Sequence, residues 1–210
     1  MKGLFVPGWG ATGNLYRPGL PEGWEALDLP AFRTTRGELP TYRRWLGAEI
    51  ARRRTPVALA GHSMGGALAL LAALDQPEKV EKLILFSPAG LPLNKPLTAS
   101  MATFAGQVAR GCYPKGELCR AVAKTAVAPL AALRLARSAH RLDLTPQLEL
   151  IRTHGTPCTV IGCSSDGLIT TAHCRRLATL LDADYRELDA SEGHIWMITE
   201  PSRLAQELTR

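Results

Sequence analysis

The sequence predicts an α/β layered protein built on a parallel sheet, and three observations carry that prediction. Short apolar runs alternate with segments of helical spacing along most of the 210 residues. The runs are apolar throughout rather than alternating with polar residues, as strands covered on both faces must be. The polar residues with chemical potential fall just after such runs, at the carboxyl ends of strands, where open α/β sheets bind their ligands.

Lys2 to Val6 reads as a buried strand closed by the turn-forming Pro7-Gly8-Trp9-Gly10. Ala26 to Leu29 gives a second strand, ended by Pro30. Tyr42, Trp45, Leu46, Glu49 and Ile50 recur at helical spacing, and Arg52, Arg53 and Arg54 close that helix at its carbonyl end, where cations are favoured. Val57 to Ala60 is a third strand, Met64 to Leu74 an Ala- and Leu-rich helix, and Leu83 to Phe86 a fourth strand. Later come a strand at Thr159 to Ile161, a helix at Thr171 to Leu181, a strand at Tyr185 to Leu188 and a closing helix at Ile195 to Leu208.

The stretch 91–144 interrupts the alternation. Thr98 to Arg110 and Glu117 to His140 are helical in composition, with interruptions expected at Pro114 and Pro129. Two to four helices inserted over the strand ends are expected, dependent on a core formed by 1–90 and 145–210. Eight basic residues stand against two acidic ones in this stretch, so the whole net charge of +6 lies there and the remainder balances.

Composition excludes several classes. With 46% hydrophobic and 21% charged residues the chain is not disordered. The longest apolar stretch, around Ala67 to Leu74, is far short of the roughly 20 residues a membrane span needs. Met1-Lys2-Gly3 leads directly into strand-like sequence without a signal peptide, which makes a cytoplasmic location the expectation. The basic residues lack aromatic interleaving or a groove-reading motif, so no nucleic-acid partner is expected. Five cysteines, Cys112, Cys119, Cys158, Cys163 and Cys174, have no paired spacing and read as free thiols. Cys158, Cys163, His173 and Cys174 lack a CxxC signature, and neither a metal nor another cofactor is expected.

The chemistry centres on Gly61-His62-Ser63-Met64-Gly65-Gly66. A serine on a tight strand-to-helix turn needs small neighbours because the flanking segments pass closely, and Gly61, Gly65 and Gly66 supply them. The helix starting at Met64 aims unpaired N–H groups and its positive end at any oxyanion forming above Ser63. The plainer reading of Ser63 is a helix N-cap.

With that GHSMGG turn the chain resembles an α/β-hydrolase over nearly its whole length, the basic stretch matching by position only. The resemblance implies an α/β-hydrolase fold with a helical lid and a serine, acid, histidine order along the chain. Asp166, in the loop after the strand ending at Ile161, and His194, after the last strand, stand at the matching positions. The implied roles are Ser63 as nucleophile, His194 as general base and Asp166 as the group that orients the imidazole. Asp189 and Glu192 are rivals for the acid, but both lie close to His194 in sequence. His62 is expected to pack or hydrogen-bond within the turn, and His140, His154 and His173 lack a serine and an acid as company.

In the family, a His-Gly-x-Gly loop lends a backbone N–H to the oxyanion hole. Its counterpart Pro7-Gly8-Trp9-Gly10 implies the Trp9 N–H as one donor, and the residue after the nucleophile implies the Met64 N–H as the other. Pro7 departs from the usual histidine and removes a side chain that braces the loop. Family members also commonly carry two strands before this loop, whereas six residues precede Pro7 here. A reduced sheet of about six parallel strands is therefore expected, with the second strand pairing outside the first.

These features imply a serine hydrolase acting on a carboxylic ester. A thioester or methyl ester on an acyl-carrier protein or coenzyme A is the alternative, in which Arg110, Arg120, Arg134 and Arg137 of the basic stretch, with Trp9, contact the substrate or its acidic carrier. Charged outer helix faces would account for the same arginines. A hydrolase-fold binding protein without turnover is the alternative of another class.

Overall fold

The computed structural model describes residues 2–109 and 113–210, so the expectations placed on Arg110 and Cys112 lie outside the described residues. Six strands, β1 (Gly3–Val6), β2 (Trp24–Ala26), β3 (Val57–His62), β4 (Val80–Phe86), β5 (Cys158–Cys163) and β6 (Asp184–Leu188), form one sheet in the order β2-β1-β3-β4-β5-β6. Every neighbouring pair is parallel. The reduced parallel sheet with the second strand outside the first is thus the observed one. Parallel neighbours require crossovers, and helices supply them on both faces.

Alternation along the central strands divides the core in two. Leu4, Val6, Leu59, Leu83, Leu85 and Val160 point to one face, where helices α2 (Leu39–Ala51), α3 (Met64–Asp75), α7 (Thr145–Thr153) and α8 (Thr171–Leu181) cover them. Phe5, Ala60, Ile84, Phe86 and Ile161 point to the other, covered by Trp196 of the short α9 (Trp196–Thr199) and by Leu204 and Leu208 of α10 (Pro201–Thr209). Both faces being dry explains why these strands read as unbroken apolar runs.

Besides small shifts at strand ends, three departures from expectation stand out. The second strand lies earlier, at Trp24–Ala26; Asp28, expected inside it, instead accepts the Gly13 N–H at 2.9 Å. The closing helix is divided, because Pro201 can begin a helix but cannot continue one. Helix α7 was not anticipated, although Leu148 and Ile151, buried on its inner side, stand at helical spacing.

Between β4 and β5, ahead of α7, the chain forms α4 (Leu97–Gln107), α5 (Lys115–Val127) and α6 (Pro129–His140), preceded in the chain by the short α1 (Phe32–Thr35) near β2. The break between α5 and α6 falls at Ala128, whose φ of −146° and ψ of 63° leave the helical region just before Pro129. No helix among the described residues is long and apolar enough to cross a membrane.

Candidate active site

The turn from β3 into α3 is tight enough to dictate its residues. Ser63 has φ 55° and ψ −120°, a left-handed conformation that costs a non-glycine residue on the order of 1–3 kcal/mol. A Cβ on Gly65 would lie 2.1 Å from the Val6 carbonyl oxygen, and one on Gly61 would lie 2.4 Å from the Gly65 oxygen. Only glycine fits at either place. The Ser63 N–H bonds to the Phe86 oxygen at 3.0 Å, and the Ser63 oxygen accepts from Gly66, Ala67 and Ala89, so the backbone is tied while the side chain caps nothing. The N-cap reading of the hydroxyl therefore fails, and strain is held here by hydrogen bonds from three sides.

Asp166 and His194 meet side chain to side chain. His194 Nδ1 is 2.7 Å from Asp166 Oδ2, with both side chains almost fully buried. The other carboxylate oxygen accepts the N–H groups of Leu168 at 2.8 Å and Ile169 at 2.9 Å. Burial alone would raise this carboxyl, but the His194 charge and hydrogen bond together with the Ile169 N–H outweigh it and hold Asp166 below its usual 3.8. A carboxylate fixed in this way obliges the imidazole to present a proton at Nδ1, which leaves Nε2 as a base. The rivals are engaged elsewhere: Asp189 accepts from the Ser164 hydroxyl at 2.8 Å, and Glu192 from the Ser191 hydroxyl at 2.6 Å.

His62 links the turn to the histidine loop. Its Nε2 is 2.9 Å from the His194 backbone oxygen and its Nδ1 is 2.8 Å from the Tyr16 hydroxyl. The carbonyl can only accept, so Nε2 carries the proton and Nδ1 accepts from Tyr16. Burial first, and the neighbouring His194 second, keep His62 well below 6.5, in the neutral form this arrangement requires. Burial likewise pushes the Tyr16 phenol far above its usual 10.0. The sequence suggested a local role for His62, but Tyr16 gave no signal.

Ser63, His194, Trp9 and Met64 line one cavity of about 90 Å³ at the carboxyl ends of the strands. Helices α4 and α6 wall its far side with Met101, Phe104, Ala136 and His140, and among the described residues no charged side chain lines it. Neither the Trp9 nor the Met64 N–H has a backbone or side-chain partner among the described residues. The Trp9 indole N–H bonds to the Ala132 oxygen of α6 at 3.0 Å, and Ala11 N–H to the Gly8 oxygen at 3.2 Å, bracing the loop without a histidine at position 7.

Arg120, Arg134 and Arg137 are exposed and stand outside the cavity: Arg120 pairs with Glu117, and Arg134 bonds to the Arg36 carbonyl at 3.2 Å. Conversely, His140 and Ser100 line it, each with a buried polar atom lacking a protein partner. Ser100 has no motif around it, and His140 was set aside for want of an acid and a serine nearby. Cys158, Cys163 and Cys174 are free thiols, and the described residues contain no cluster of metal-ligating side chains.

No curated protein matches the chain in sequence. Among solved structures, Est816, described as an N-acyl homoserine lactone degrading enzyme, has a TM-score of 0.76 at 17% identity, over 98% of this chain and 91% of its own. A lipase-esterase related protein from Clostridium acetobutylicum has a TM-score of 0.71 at 15% identity, over 98% and 92%. The thioesterase domain from the curacin biosynthetic pathway has 0.70 at 20% identity, over 99% and 90%. Identities this low establish a shared fold. The sequence model of the alpha/beta hydrolase family matches residues 4–207, and with that span covered the chain belongs to the α/β-hydrolase family.

Proposed function

We propose that the protein is a serine hydrolase that cleaves carboxylic esters of uncharged, apolar acyl groups through an acyl-enzyme, with α4 to α6 as its lid. The observation that carries this reading is the 2.7 Å Asp166–His194 pair, whose His194 lines the same apolar cavity as a serine held in a strained turn. Ser63 Oγ attacks the ester carbonyl while His194 Nε2 takes its proton. Asp166 stabilises the imidazolium that results, as its depressed pKa fits it to do. The free N–H groups of Trp9 and Met64 receive the oxyanion, and the positive end of α3 adds to their field. His194 then protonates the departing alcohol, and water enters by the same route to release the acid.

The cavity lining favours neutral acyl groups, since no charge among the described lining residues would compensate a buried one. A carrier-linked substrate recognised within the site would call for cations on its lining, and Arg120, Arg134 and Arg137 line no part of it. The reading is tested with a fluorophosphonate probe and a series of p-nitrophenyl esters. Covalent labelling and turnover of short acyl esters are expected, both abolished in Ser63→Ala. A folded wild-type protein that neither labels nor turns over would leave the fold as a binding module and overturn the assignment.

A further inference from the structure

Five large apolar side chains are strongly exposed among the described residues, and four belong to α5 and α6: Val122 at 59%, Val127 at 67%, Leu130 at 79% and Leu133 at 44%. Helix α5 buries no residue at all. Its exposed positions Cys119, Val122, Ala123, Ala126 and Val127 follow the three- and four-residue spacing of one helix face, so its apolar stripe points to solvent. Its inner side is held by Leu118, half-buried against the core, and by polar contacts, with Glu117 accepting from Thr12 and from Asn14. Ordinary surface helices show the reverse arrangement. Helix α6 continues the pattern, turning Leu130 and Leu133 outward while Ala136 and Ala139, one to two turns on, line the cavity.

We propose that the outward face of α5 and α6 docks on a lipid surface carrying anionic headgroups, which brings the cavity beside the lipid. Charge selects this occupant. The stretch 91–144 carries the entire surplus of +6, and exposed Lys115, Arg120, Arg134 and Arg137 stand along the same two helices. Long basic side chains can lay their stems along the apolar stripe and reach headgroups above it. A second copy of this chain would set two cationic faces against each other. A protein partner is disfavoured because the stripe is Val, Leu and Ala, without the Trp or Tyr anchors on which protein interfaces concentrate their energy.

The test is co-sedimentation with vesicles of phosphatidylcholine alone or rich in phosphatidylglycerol, at low and raised salt, with circular dichroism as a check on folding. The wild-type protein should pellet with phosphatidylglycerol vesicles and be released by salt. Each basic residue removed near an anionic surface weakens partition about fivefold, so Arg134→Gln/Arg137→Gln should lose about 25-fold. Leu130→Gln/Leu133→Gln should lose tenfold or so, as the buried apolar area falls. Ser63→Ala should bind like wild type, which separates failure of docking from failure of the hydrolase reading. Absence of binding, equal binding to both vesicle types, or binding unchanged in both double variants would overturn the proposal. So would capture of an acidic acyl-carrier protein, lost in the same variants, by a protein that ignores vesicles.

Discussion

Replacing His62 by Leu should be costly in a way that can be apportioned. His62 is 3% exposed and bridges the Tyr16 hydroxyl at 2.8 Å and the His194 carbonyl at 2.9 Å. Leucine fills much of the space but leaves both partners buried without a bond, at roughly 1–3 kcal/mol each, so a loss of about 2–6 kcal/mol is expected. Tyr16→Phe alone orphans His62 Nδ1, for about 1–3 kcal/mol. In the double variant the hydroxyl and its acceptor are both gone, so its loss should fall short of the sum by roughly 1 kcal/mol or more. The acid response follows from the same burial. His62 in the folded protein stays neutral well below 6.5, whereas the unfolded chain takes up a proton there. Its contribution is therefore complete above pH 6.5 and is lost as pH falls below it, by up to about 1.4 kcal/mol per pH unit. Urea unfolding of the four proteins at pH 7.5 and 5.5 measures both effects. Strict additivity of the two single losses, or an acid slope unchanged in His62→Leu, would refute the bridge as described.

Three further outcomes follow from the same structure. Asp166→Asn should lower kcat by about four orders of magnitude, through the wrong imidazole tautomer. Because the folded pKa of Asp166 lies below 3.8, its stabilisation is complete above that value and disappears as pH falls through the depressed one, so the Asn variant should show a shallower loss of stability in strong acid. Gly65→Ala, with its Cβ 2.1 Å from the Val6 oxygen, should cost about 4 kcal/mol or more and appear as insoluble protein or a collapsed denaturation midpoint. Ser100→Ala removes a buried hydroxyl without a partner, and calorimetry should register a gain of about 1 kcal/mol rather than a loss.

The legible parts of this protein were those in which one local rule decides the outcome. The central strands could be read because both sheet faces are dry, and the turn at Ser63 because close approach at Gly61 and Gly65 admits no side chain. Asp166 and His194 were singled out by the order that the resemblance implies, and the structure sets their side chains 2.7 Å apart. What escaped was set by tertiary contact. Tyr16 joins His62 across 46 residues, and Trp9 joins Ala132 across 123, with no spacing to announce either. The edge strand at Trp24–Ala26 begins before the apolar run that suggested it, and Leu27 after it still donates its N–H to the Phe5 oxygen at 2.9 Å while its side chain enters the core.

The basic stretch was legible as charge and not as geometry, since composition cannot say which side of a helix a residue occupies. Once the helices are placed, charge and apolar surface separate into two roles. Among the described residues the cavity side of α4 and α6 offers no charge, while the outer side of α5 and α6 carries arginines beside exposed Val and Leu. A neutral ester dissolved in water meets only the first surface, so its kcat/KM should hardly respond to salt in the range that screens exposed charges. The same ester presented in phosphatidylglycerol vesicles meets the second surface first, and its turnover should fall as salt rises. If both rates fell together, the arginines would be acting on the chemistry itself, and the division between an uncharged site and a cationic docking face would have to be abandoned.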